Sequence, residues 1–134
     1  MHRDKHPIAL TSLNLGMNEI DLTALKRILE PLLSFKLPSL RELSLPLNLL
    51  QPEGIILISN ACTLGALDSL TLLDISDVGG NSESILVLAR ALVLRFQGNS
   101  LRLKRLKILG LAPFAGRNVR LSFSPDFLKF VAVS

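Results

Sequence analysis

Apolar positions along this chain follow a spacing that suits neither of the simple periodicities. The stretch LRELSLPLNLL (40–50) holds six leucines in eleven residues. They neither alternate strictly, as in a half-buried strand, nor fall three and four apart, as in a helix. The pattern returns at a fixed distance: LTSLNLGMNEI (10–20), LRELSLPLNLL and LTLLDISDVGG (70–80) begin 30 residues apart, and LKRLKILGLAP (103–113) follows after 33. Three apolar columns result: Leu10/Leu40/Leu70/Leu103, Leu13/Leu43/Leu73/Leu106 and Leu15/Leu45/Ile75/Ile108.

The register also holds outside the leucine cassettes, which is the stronger test of repetition, because a leucine-rich chain matches a leucine pattern easily. Ala24, Gly54 and Ser84 form a column of small residues, followed by Leu25/Ile55/Ile85, Ile28/Ile58/Leu88 and Leu32/Cys62/Leu92. A spacing of i, i+1, i+4, i+8 is the inner stripe of an amphipathic helix, with the small residue where that helix must approach its neighbour closely. Each unit is therefore predicted to run strand, loop, helix, return loop. Asp21, Glu53 and Glu83 fall at the expected first turns, where carboxylates meet the positive end of the helix dipole, and Pro52 suits a first-turn position. Pro31 removes a helical hydrogen bond and is expected to stop or kink the first helix near Glu30. Residues 114–134 leave the register. There VRLSF (119–123) reads as an edge strand and SPDFLKFVAV (124–133) as a short helix, with Ser124 as N-cap and Pro125 at its first position.

The cassettes resemble the leucine-rich repeat, LxxLxLxxNxL, and the helix with its small residue is most similar to the long, ribonuclease-inhibitor-like class. The resemblance covers about residues 10–113. It implies an α/β leucine-rich-repeat solenoid: a short arc of about 3.5 repeats, with parallel strands on the concave face and helices on the convex face. It divides the chain into an N-terminal tail (1–9), repeats 10–39, 40–69, 70–102 and a partial 103–113, and an irregular C-terminal cap (114–134). It also implies a ladder of asparagine side chains that satisfy backbone groups in the turns after the strands. Asn18 and Asn48 fit this pattern, but Val78 and Leu111 depart from it. The ladder is expected to fail at the third repeat, with Gly79-Gly80 supplying the compensating freedom. No recognisable capping repeat closes either end, which adds self-association through uncapped ends to the expectations.

Composition fits one domain of 134 residues, 49% apolar and with 32 leucines. No apolar run approaches the roughly 18 to 20 residues a membrane span needs, so no membrane is expected. The start, MHRDKHPIAL, lacks the apolar region of a secretory signal. Cys62 is the single cysteine and no N-x-S/T sequon occurs, which favours a reducing compartment, cytoplasmic or nuclear. Charge is polarised: of 15 Lys/Arg and 11 Asp/Glu, residues 1–83 carry six and ten, and residues 84–134 carry nine and one.

No constellation for catalysis emerges. HRD (2–4) matches the start of the protein-kinase catalytic loop, but Ala9 stands where that loop needs Asn. His2 and His6 have the spacing of a metal pair without a third ligand. Cys62 sits in an inner helical column and lacks a base to activate it, and Asp74 with Asp77 reads as a solvated face rather than an acid pair. The expectation is a non-enzyme without cofactor or metal. Strand alternation instead exposes Ser12, Asn14 and Gly16; Glu42, Ser44 and Pro46; Leu72, Asp74 and Ser76; and Arg105, Lys107 and Leu109. Leu47, Leu72 and Leu109 occupy positions that should leave the core. These residues are expected to bind a protein partner on the concave face, with an acidic partner surface meeting the C-terminal half. Two alternatives remain open: regulation or inhibition of an enzyme by covering its active site, and nucleic-acid binding through the basic run Arg90, Arg95, Arg102, Lys104, Arg105 and Lys107. Nucleic acid is the weaker of these, because no Tyr or Trp is present to stack bases.

Overall fold

The computed structural model describes residues 9–109, 118–123 and 128–133, with side chains described as far as Ile108. The elements are β1 (Ser12–Asn14), α1 (Leu22–Leu33), β2 (Glu42–Ser44), α2 (Gln51–Thr63), β3 (Leu72–Asp74), α3 (Ser82–Gln97), β4 (Arg105–Leu109), β5 (Asn118–Phe123) and β6 (Leu128–Val133). The first four strands are parallel and lie side by side in sequence order, so each helix connects one strand to its immediate neighbour. Leu13 pairs with Leu43, Leu43 with Leu73, and Leu73 with Leu106. Steps of 30 and 33 residues thus land on one sheet register. The three added residues go into α3, which has 16 residues against 13 in α2.

The apolar columns form the core between sheet and helices. Leu40, Leu43, Leu45 and Leu50 of the second unit, and Leu70, Leu73 and Ile75 of the third, are fully buried. Each contributes about 2 kcal/mol relative to exposure. In the first unit Leu10, Leu13, Leu15 and Ile28 are only partly covered, because among the described residues β1 is the edge of the sheet. The small-residue column has a steric cause: a Cβ on Gly54 would lie 2.9 Å from Leu50 Cβ and 3.3 Å from Leu25 Cδ2.

Glu53 and Glu83 lie in the first turns of α2 and α3 as expected, whereas Asp21 stands at the N-cap of α1 rather than in its first turn. Asp21 caps α1 by accepting from the Ala24 N–H at 3.0 Å. Asn81 and Ser84 cap α3 reciprocally, at 2.8 Å and 3.1 Å, which gives the third small residue a second role. Pro52 lies in the first turn of α2. All three helices end alike: Lys36 N–H bonds Pro31 O, Ala66 N–H bonds Ala61 O, and Ser100 N–H bonds Arg95 O. This closure requires a left-handed residue just past the helix, and Phe35, Gly65 and Asn99 take it. At Gly65 a Cβ would come within 3.0 Å of Arg95 Nη2, so here the absence of a side chain matters.

Two expectations are corrected. Pro31 does not stop the first helix near Glu30; α1 runs on to Leu33. The missing N–H falls in the last turn, where one bond is lost, while burial of Leu32 and the bond to Pro31 O hold that turn. Residues 128–133 form strand β6 rather than a helix. Their β-branched and aromatic content suits a strand once the outer edge of β5 supplies backbone partners. The strand expected at 119–123 is present as β5, but it lies between β4 and β6 rather than at the edge. The expected cap residues Ser124 and Pro125 lie outside the described residues.

The turns after the strands are tied across units by Asn48. Its Oδ1 accepts from Asn18 N–H and Ile20 N–H, each at 2.9 Å, and its Nδ2 donates to Leu15 O at 2.9 Å and Leu45 O at 3.0 Å. Asn18, at the equivalent place one unit earlier, is exposed, and among the described residues its side-chain amide donates within its own turn, to Gly16 O at 2.9 Å. In the third unit the buried Val78 replaces the amide, so the ladder breaks where expected. Of the glycine pair only Gly79 is left-handed, at φ +83. Replacing Asn48 by Ala strands two N–H groups and removes two donors in the interior, a loss of about 3 kcal/mol. Replacing Asn18 by Ala should cost less than about 1 kcal/mol. Urea unfolding of both variants, followed by circular dichroism, checks the contrast; equal losses would mean that Asn48 does not join the two units.

Candidate functional site

The sheet's outward face carries two cross-strand rows. One is Ser12, Glu42, Leu72 and Arg105, the other Asn14, Ser44, Asp74 and Lys107, with each residue the register partner of the next. Ser12, Asn14, Glu42, Arg105 and Lys107 are exposed, whereas Ser44, Leu72 and Asp74 are half-buried. Ser12 Oγ donates to Glu42 Oε1 at 3.2 Å, joining the first two strands at the surface. Across the face, charge runs from uncharged at β1 through Glu42 and Asp74 to Arg105 and Lys107.

A third row lies just beyond the strand ends, and there the expectation partly fails. Gly16 and Pro46 are half-exposed, but Ser76 is buried, with 4% of its surface accessible. Alternation governs a residue only while it is in the strand, and β3 ends at Asp74. Beyond it the chain bends: Ser76 N–H is held by Asp74 Oδ1 at 3.0 Å, and Ser76 O accepts from Leu47 N–H at 2.9 Å. The Ser76 hydroxyl has no hydrogen-bond partner among the described residues, and Ser76 is not available to a partner molecule. Leu109 is in β4 by its backbone, opposite Asn118, and its side chain lies outside the described part.

The three turns satisfy one donor in different ways. Asn14 Oδ1 accepts the Gly16 N–H at 3.0 Å as Asp74 does that of Ser76, whereas Pro46 has no N–H to satisfy. Asn14 and Asp74 therefore each commit one oxygen to their own turn. Asp74 forms no ion pair with Lys107, its register partner, among the described residues.

The basic run is smaller than the sequence suggests. Arg95 is bound on both nitrogens of its fork by Asp68, with Nε–Oδ1 at 3.2 Å and a second, closer contact from Nη2 to Oδ2. The hydrogen bond to Asp68 raises the Arg95 pKa further above its ordinary range. Arg90, Arg102, Lys104, Arg105 and Lys107 are exposed. Asp68 lies 27 residues from Arg95, a pairing that no local pattern announces. Sequence reading also passed over Met17 and Leu49, which the structure exposes beside Leu47.

Cys62 is fully buried. Burial, reinforced by the Asp68 carboxylate and opposed by Arg95, pushes its thiol up to about 11. Among the described residues no three His, Cys, Asp or Glu side chains gather as a metal site would need, and no helix is long and apolar enough to cross a membrane. His2 and His6 lie outside the described residues. The chain matches no model of a known protein family and no curated protein.

The raised thiol pKa has a measurable consequence. Since only thiolate reacts, Cys62 in the folded protein should resist a disulfide reagent at pH 8 and react fully in denaturant. The group's folded pKa lies above its unfolded value, so its contribution to stability is intact below about pH 9 and is lost as pH rises toward 11. Cys62→Ala should flatten that alkaline loss; rapid labelling of the native protein at pH 8 would contradict the burial.

Proposed function

We propose that the chain is a short leucine-rich-repeat solenoid of the ribonuclease-inhibitor-like class and that it recognises a protein partner on its sheet face without catalysing a reaction. The observation that carries this reading is the separation of duties along each strand. Leu13, Leu43, Leu73 and Leu106 face the core side, and Leu43, Leu73 and Leu106 are fully buried there. Their neighbours Ser12/Glu42/Leu72/Arg105 and Asn14/Ser44/Asp74/Lys107 differ from unit to unit on the open side. Side chains that vary over an unvarying frame suit recognition, because they change partner preference without disturbing packing.

Charge supports a partner that meets this face in one orientation, its acidic portion against Arg105 and Lys107 and its basic portion against Glu42 and Asp74. The mixed face also argues for protein over nucleic acid. A phosphate backbone follows a continuous cationic track, and on the β2 and β3 side of Arg105 and Lys107 the rows carry Glu42 and Asp74 instead.

Binding by this face is tested with Arg105→Glu and Lys107→Glu together. Both side chains are exposed, so circular dichroism and the unfolding midpoint should stay unchanged while affinity capture loses the partners recovered by the unaltered chain. A set of captured proteins identical for both chains would overturn the reading. Affinity that falls with salt at the steep slope of a polyanion would assign the face to nucleic acid instead.

A further inference from the structure

We infer that the rim formed by the turns after β1, β2 and β3 is a second docking surface, separate from the sheet face, for a basic amphipathic segment of a partner protein that inserts apolar side chains between acidic flanks. The turns are stacked in register: Met17 N–H bonds Pro46 O at 3.0 Å and Leu47 N–H bonds Ser76 O at 2.9 Å. Met17, Leu47 and Asp77 therefore occupy equivalent places on successive turns, and Glu19, Leu49 and Gly79 do so two residues further on. Met17 is 75% exposed, and Leu47 and Leu49 are each 53% exposed. Three large exposed apolar residues thus belong to adjacent turns of one rim, which also carries the exposed Glu19 and Asp77.

Backbone conformation at this rim strengthens the case. Met17, Leu47 and Asp77 are all left-handed, with φ of 58, 58 and 54. That conformation is ordinary for Asp, Asn or Gly and unfavourable for Met or Leu. The turn would be better served by a small polar residue, as it is at Asp77. At positions 17 and 47 it instead holds an apolar side chain out in solvent, against both local backbone preference and burial. Strain combined with exposure is what a binding anchor looks like before its partner arrives. The flanking carboxylates select the occupant's charge. Glu19 and Asp77 would repel an anionic membrane or a second acidic segment and attract Lys or Arg beside the inserted side chains. Basic residues of this chain could meet the same rim in a second copy, which the experiment separates.

The probe is a synthetic amphipathic 14-residue peptide of Leu and Lys, with the Leu/Glu version of the same pattern as control, titrated into the full chain labelled with nitrogen-15. Binding of the Lys peptide should move the amide signals of residues 16–20 and 47–50, and the Glu peptide should not bind. Met17→Asn with Leu47→Asn keeps the left-handed turns, so the pair should fold at least as well as the parent while affinity falls by about tenfold or more. Glu19→Gln with Asp77→Asn should weaken binding and flatten its salt dependence. Arg105→Glu with Lys107→Glu should leave rim binding unchanged, so failure of the sheet-face reading and failure of this one are distinguishable. The inference is overturned if the Asn pair binds as the parent does, if the Glu peptide binds equally, or if the shifts lie elsewhere. It is also overturned if Met17 and Leu47 mediate self-association of the chain or attachment to phosphatidylserine vesicles rather than peptide binding.

Discussion

A thirty-residue segment of this chain cannot cover its own leucines. Strand and helix of one unit enclose only part of the apolar surface they create, and the remainder is closed by the next unit in register. Everything else in the architecture answers to that constraint. Strands must be parallel and consecutive, helices must stand on one side, and the residue where two helices meet must be small, as at Gly54. The first unit shows what the constraint means when it is unmet: Leu13 and Leu15 stand in the same columns as Leu43 and Leu45, yet remain partly exposed, since β1 has no outer neighbour among the described residues. At the other end the fourth parallel strand is covered by the antiparallel pair β5 and β6, so the two ends of the sheet differ.

Backbone satisfaction is a second constraint, and the units solve it individually. The donor just past each strand is met by an asparagine amide, by a proline that removes the donor, or by an aspartate. Links between turns rest on Asn48 in one place and on apolar burial of Val78 in the next. A repeat need not repeat its chemistry: Asn48 satisfies backbone groups of two turns, whereas the buried Ser76 hydroxyl has no partner among the described residues. The cost of this freedom falls on function: Asn14 and Asp74 face outward, but one oxygen of each is already committed to its turn.

Much of the fold was legible in the sequence because packing acts through periodicity. The leucine columns, the small-residue column and the helix starts each carry a spacing that only one arrangement satisfies, and the strand register follows from them. The misses have physical causes. The continuation of α1 past Pro31 depends on tertiary burial of Leu32, which outweighs a local preference. The strand at 128–133 depends on an edge offered by β5, and propensity alone does not reveal an available partner. Ser76 was expected to face solvent because alternation was extended two residues beyond the end of its strand. Arg95 was counted with the free cations because its partner, Asp68, is distant in sequence. Of the candidate face, the two rows inside the strands were legible; the turn positions were not, because there backbone direction rather than alternation decides where a side chain goes.

The longer α3 has a consequence for how such a chain can change length. Three extra residues were absorbed as nearly one full turn of helix, and a full turn returns the chain to almost the same azimuth from which it left. The following strand therefore arrives in register, as Leu73 opposite Leu106 attests. Insertions on the helical side are in effect quantised: three or four residues pass without disturbing the sheet, whereas one or two would rotate the helix's apolar stripe away from its neighbour. The helix layer is thus where the molecule can vary in size, and the strand layer keeps the count.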